Sequence, residues 1–345
     1  MANNTTVSAY SEREADSSSW TAMPICYLVI MIIATISNGV VLYVFARHPH
    51  LRTAFNVYII NLSMANLIET FMMMPLNIAT YLRSHWWLGS TACSVFIYGL
   101  SLQAVAINSH LLITINRMWA VSAPVSYRTY HRKKVSICLC IFIWLYVHVV
   151  HTPGYVIDAV YYRPPVEIGC FVNGMMQYGW FHAMQFCLFK IPVLAIICCY
   201  PYVAYKSLKA RTFRSVHPTT VSAMTGSDTR AVKGPTSGHH DGMGLTADVA
   251  QDMLVVLHNR RAESSRRRGA FLLLSVMTLS MLVFWTPSAV YYTVVSFGHV
   301  NWPAVEQAAN IMCLLETIAD PICFTLALKE VREAVKGLLL PWKSS

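Results

Sequence analysis

Apolar residues in this chain gather into seven long unbroken runs, from Pro24 to Ala46, Ala54 to Leu82, Cys93 to Val121, Val135 to Tyr155, Tyr178 to Tyr205, Ala270 to Phe297 and Ala304 to Leu328. As a helix, each run meets the roughly 20 residues needed to cross a hydrocarbon core of about 30 Å. None shows the strict alternation of barrel strands, and helices satisfy every backbone N–H and C=O within the segment, so the runs predict spanning helices. After the seventh, Leu328, Val331, Val335, Leu338 and Leu339 recur at helical spacing with Lys329, Arg332, Glu333 and Lys336 between them. That pattern predicts a short amphipathic eighth helix along the membrane surface. The expected fold is an all-α membrane protein: an N-terminal segment over residues 1–23, a seven-helix domain over 24–328, and a helix with a short tail over 329–345.

Composition agrees, with 55% hydrophobic and 12% charged residues against about a quarter charged in soluble domains. The net charge of +10 would suit a nucleic-acid binder if it formed one patch, but it sorts by side. Alternate connecting segments, containing Arg47 and Arg52, then Arg117 to Lys134, Lys206 to Arg268 and Lys329 to Lys343, carry about +15, and the other set about −3. This asymmetry places the N-terminus outside and the C-terminus in the cytoplasm of a multi-pass membrane protein. The basic face then meets anionic lipid or an acidic partner, and nucleic acid is not a partner. No removable signal peptide is visible in the first 22 residues. Asn3 and Asn4 each begin a glycosylation sequon on the outer side, whereas the sequon at Asn61 lies inside a helix and is discounted.

Most of the ten cysteines lie within apolar helices, where packing accounts for them. Cys93 and Cys170 instead face the oxidising side, and a bond between them would pin the outer loop before the fifth helix to the top of the third. The stretch from Lys206 to Arg268 is too polar to build a core and reads as a flexible loop. Its basic ends extend the fifth and sixth helices, with transient helix over 248–258.

Several motifs then appear in order: Ser37-Asn38-Gly39-Val40-Val41 in the first helix, Trp86-Trp87-Leu88-Gly89 before Cys93, and Asn116-Arg117-Met118 followed by Pro124 and Tyr127. Trp144, Pro192 with Tyr200, Phe284-Trp285-Thr286-Pro287 and Asp320-Pro321-Ile322-Cys323-Phe324 follow. Together they resemble the rhodopsin-like G-protein-coupled receptor family. The resemblance implies that Arg117 and Tyr200 serve G-protein coupling. It also implies that Trp285, Pro287, Asp320, Pro321 and Phe324 form an activation switch opened by outward movement of the sixth helix. Prolines within these helices remove backbone bonds and allow two packings. Asn116 stands where the family has an acidic residue, so the resting state loses a charge pair worth on the order of 1 kcal/mol, and raised basal activity is expected.

Ionisable residues inside a membrane are costly and mark functional candidates, here Glu69, Lys190, Glu316 and Asp320. Asn66 occupies the position of the family's second-helix carboxylate and Asp320 that of its seventh-helix Asn. Glu316 and Asp320 are four residues apart on one helical face toward Asn66 and Trp285, where a bound Na⁺ or a shared proton would satisfy them. By the resemblance, Gly99 replaces the Asp of amine receptors and Leu314 the retinal-linking Lys of opsins, disfavouring both ligands. Glu69, Gln103, Tyr292, Glu306 and Asn310 remain as cavity candidates for an extracellular peptide or polar small molecule, with peptide favoured. A transporter or channel is the alternative, but no inverted repeat or charged ring is evident. An enzyme would need a metal cluster or an activated nucleophile, and His148 with His151 lack a nearby partner.

Overall fold

The computed structural model describes residues 20–83, 85–174, 176–216, 272, 275–295 and 302–339. Asn3 and Asn4, most of the long loop with its 248–258 stretch, and the last six residues lie outside the described residues. Among the described residues, seven helices are long and apolar enough to span a membrane: Ala22–Arg47, Asn56–Leu82, Gly89–Ser122, Lys133–Tyr162, Tyr178–Lys206, Ser275–Val295 and Pro303–Ala327. The fifth continues to Val216, as its basic extension predicts. Lys329–Leu339 forms the eighth helix, and the described residues contain no strand.

The first helix shows how a bundle sorts side chains between lipid and protein. Tyr27, Ile30, Ala34, Val41, Val44 and Phe45 are buried, while Ile25, Val29, Ile32, Ile33 and Ile36 are exposed. Both faces are apolar because both solvents are, so small residues and packing rather than polarity choose the inner face. The third helix is the hub. Its Ala104, Val105, Ile107, Asn108 and Ser109 are all buried, and its 34 residues span about 51 Å. Val331 and Val335 of the eighth helix join the core that holds Val44 and Phe45, so that helix is seated against the bundle.

Two boundaries differ from the apolar runs. The third helix begins at Gly89, four residues before Cys93, because Gly89 takes a φ of 78° that a side chain would resist. The indole N–H of Trp86 donates to its carbonyl at 2.8 Å. The fourth helix runs on past Tyr155 through a widened last turn, Asp158–Tyr162. Buried Asp158 accepts from Arg163 Nε at 2.8 Å and from the Asn173 amide at 3.1 Å, which fastens the following loop to the helix end. A second widened turn, Phe186–Lys190 in the fifth helix, leaves carbonyls free for side chains. The Tyr146 hydroxyl donates to Cys187 at 3.3 Å and the Asn108 amide to Leu188 at 3.0 Å. Lys190 ends that turn, partly exposed.

Candidate functional site

Halfway through the bundle the second, third and seventh helices each bring polar groups to one place. Spaced one turn apart, Glu316 and Asp320 share a face of the seventh helix, and Asn66 Nδ2 donates to Asp320 Oδ2 at 2.8 Å. Asn38 reaches toward the same point, with its oxygen 3.5 Å from Asn66 Nδ2 and its amide donating to the Thr317 carbonyl at 2.7 Å. Asn66 is therefore in contact with Asp320, and Glu316 lies one turn from Asp320 on the same helical face. The third helix adds a residue that the sequence reading passed over. His110 Nε2 lies 3.2 Å from each Asp320 oxygen and 3.5 Å from Glu316 Oε1. All three ionisable side chains are at most 5% exposed. The signal for His110 was available as a lone histidine in an apolar run, seven residues and so about two turns before Arg117, but nothing local tells whether such a residue faces lipid or protein.

Trp285 packs above with Ile107, Met281 and Cys313, near the backbone gap left by Pro287. The Cys313 thiol donates to the Phe284 carbonyl at 3.6 Å. Phe324, fully buried, packs in the core that also holds Tyr58, Cys323 and Val331.

The five cavity candidates separate into two groups. Tyr292 bridges Glu306 at 3.3 Å and Asn310 at 3.1 Å, and Tyr291 reaches Glu306 at 3.4 Å, so three candidates form one polar patch between the sixth and seventh helices. Glu69 sits deeper, hydrogen-bonded by Gln103 and within electrostatic range of Asp320 and Glu316. At Gly99 a Cβ would collide with Met73 Sδ, so a thioether occupies the space an acidic side chain would need.

At the opposite end from the Cys93–Cys170 disulfide, whose Cα atoms are 5.5 Å apart, the guanidinium of Arg117 lies 3.2 Å over the Phe55 ring. Among the described residues it forms no ion pair. Asn116 does not face it as a counter-charge, because its side chain joins two tyrosines, accepting from Tyr127 at 3.1 Å and donating to Tyr58 at 3.4 Å. His131 stacks on Tyr127 at 4.3 Å between ring centroids and is 3.3 Å from the Tyr58 hydroxyl. Burial, with a smaller contribution from Arg117, holds its imidazole below the ordinary value. Tyr200 ties the fifth helix to the sixth, its hydroxyl donating to Ser275 at 3.4 Å.

Residues 37–324 match the family described as 7 transmembrane receptor (rhodopsin family). The chain belongs to that family. Relatives include the rhodopsin of Enteroctopus dofleini, 23% identical over 91% of this chain and 64% of the relative. Proteinase-activated receptor 2 of Rattus norvegicus is 23% identical over 92% and 71%, and 5-hydroxytryptamine receptor 1B of Mus musculus 20% identical over 98% and 92%. The chain thus spans under two-thirds of the octopus protein's length. The relatives' names cover light-sensing, protease-linked and amine receptors, so they do not assign a ligand. This family consists of receptors and not enzymes, and the histidine pair of the fourth helix has a packing role here. The His148 ring is parallel to Tyr98, with Nδ1 3.0 Å from its hydroxyl, and His151 packs against Tyr155 and Trp180. Asn61 is equally committed to packing, accepting from Trp144 at 2.9 Å and donating to Ser109 at 2.8 Å.

Proposed function

We propose that this rhodopsin-family receptor binds an extracellular ligand and activates a heterotrimeric G protein through its Arg117 end, with the N-terminus outside the plasma membrane and the basic segments inside. The supporting observation is that Arg117 forms no ion pair among the described residues and lies over the Phe55 ring. Held in this way, its guanidinium can donate to a partner's backbone carbonyls or carboxylates once the sixth helix moves, and Tyr200 with Ser275 joins that helix to the fifth. Ligand chemistry follows from the other end. Met73 fills the place of an amine-binding carboxylate over Gly99, Leu314 has no amine for a Schiff base, and Glu306 with Tyr292 and Asn310 offers acceptors to a basic or amide-rich group. A peptide fits this patch better than a monoamine. Screening a peptide library for nucleotide exchange on co-expressed G proteins tests the reading. Agonist-dependent exchange that is lost in Arg117→Ala supports it, and exchange that survives that change overturns the role of Arg117.

A further inference from the structure

We infer that His110, Glu316 and Asp320 form a site for a first-row divalent transition cation such as Zn²⁺, which would join the third helix to the seventh. Hydrogen bonding alone leaves this cluster incomplete. Both oxygens of Glu316, Asp320 Oδ1 and His110 Nδ1 are buried without a hydrogen-bond partner among the described residues, whereas buried polar atoms are ordinarily satisfied. Two of those atoms, Glu316 Oε1 and Asp320 Oδ1, are carboxylate oxygens within 3.5 Å of His110 Nε2.

The geometry suits a small ion. One donor atom from each of the three residues can be chosen so that all lie within 4.8 Å of one another. The separations from His110 Nε2, 3.2 Å to Asp320 and 3.5 Å to Glu316, bracket the edge of about 3.3 Å expected between ligands each about 2.0 to 2.1 Å from a tetrahedral metal. Asn66 already performs an outer-shell task, since its amide orients the Asp320 carboxylate.

Donor chemistry and charge then choose among ions. A neutral imidazole nitrogen favours Zn²⁺ and its neighbours over a hard cation that prefers oxygen. Two carboxylates and a divalent ion make a neutral unit, whereas Na⁺ would leave a net negative charge in a low-dielectric interior beside Glu69. With His110 counted, the ion we infer differs from the Na⁺ or shared proton expected from Glu316 and Asp320 alone. Coupling to a G protein is not needed for this site to exist, so the two readings fail separately.

Co²⁺ titration of the full-length, detergent-purified chain tests the site, because cobalt reports its ligands by absorption. The expected result is one equivalent taken up with visible d–d bands of a nitrogen and oxygen environment, displaced by Zn²⁺. Binding should weaken by more than about tenfold in His110→Leu and in Glu316→Gln. The near-isosteric Glu316→Gln carries the test if His110→Leu does not fold. Uptake unchanged in these variants, or thiolate-to-cobalt bands indicating cysteine ligands, overturns the assignment. A melting temperature that rises with Na⁺ without saturable Co²⁺ uptake also overturns it.

Discussion

Asn66 donates its amide to Asp320 across 2.8 Å, so the second helix supplies the neutral partner and the seventh the charge. The contact needs one of each, and exchanging both residues should preserve it. Asn66→Asp alone sets two carboxylates together and should destabilise the chain by about 2 kcal/mol or more. Adding Asp320→Asn should recover most of that loss. Thermal unfolding in detergent with a chelator present measures both, and a double variant no more stable than Asn66→Asp would show that the pair is not coupled.

Asn116 bridges Tyr58 and Tyr127 and leaves Arg117 on the Phe55 ring. An acidic residue there keeps the tyrosine acceptor and adds a counter-charge to Arg117, on the order of 1 kcal/mol. Asn116→Asp should lower ligand-independent nucleotide exchange several-fold. Basal exchange that stays level or rises at equal surface expression would remove the idea that this site loosens the resting state.

Gly99 is a packing requirement of the Met73 side chain. Gly99→Ala should cost about 1–3 kcal/mol by overpacking, and Met73→Ala in the same chain should restore part of it. Unfolding temperatures of the two single variants and the double variant decide this, since independent losses would add.

Asp158 is fully buried and its pair with Arg163 closes the end of the fourth helix. Asp158→Asn leaves the Arg163 charge without compensation and should destabilise by about 3 kcal/mol. Because the same residue anchors the Asn173 amide, proteolysis of the loop around Cys170 should accelerate in parallel. An unchanged cleavage rate would separate loop order from the ion pair.

Burial holds the His131 imidazole below its ordinary pKa of 6.5, with Arg117 adding to the effect. The folded state therefore binds the proton less readily than the unfolded state. The associated stability is complete above the unfolded value and declines as pH falls through it toward the lowered folded value. Between about pH 7 and pH 5, His131→Gln should lose less stability than the native chain, as denaturation curves at a series of pH values would reveal. Parallel curves for the two proteins would contradict it.

Seven spans, the eighth helix and the family were legible in the chain itself, because a membrane demands long apolar helices and that demand is met by local composition, one segment at a time. The pairing of Asp320 with Asn66 was also legible, since both sit in recognisable motifs, and Glu316 followed from helical spacing. His110 was not, although it completes the cluster. It lies 210 residues from Asp320 in a helix whose two faces are both apolar, and in lipid the hydrophobic pattern no longer marks which face turns inward. Likewise Asn116 reads as a missing charge until Tyr58 and Tyr127 are seen on either side of it, and Gly99 as a missing carboxylate until Met73 is seen in its place. Length and composition decide which segments cross the membrane, but the rotation of each helix about its axis is set by packing against the others, and that rotation chooses which polar groups meet.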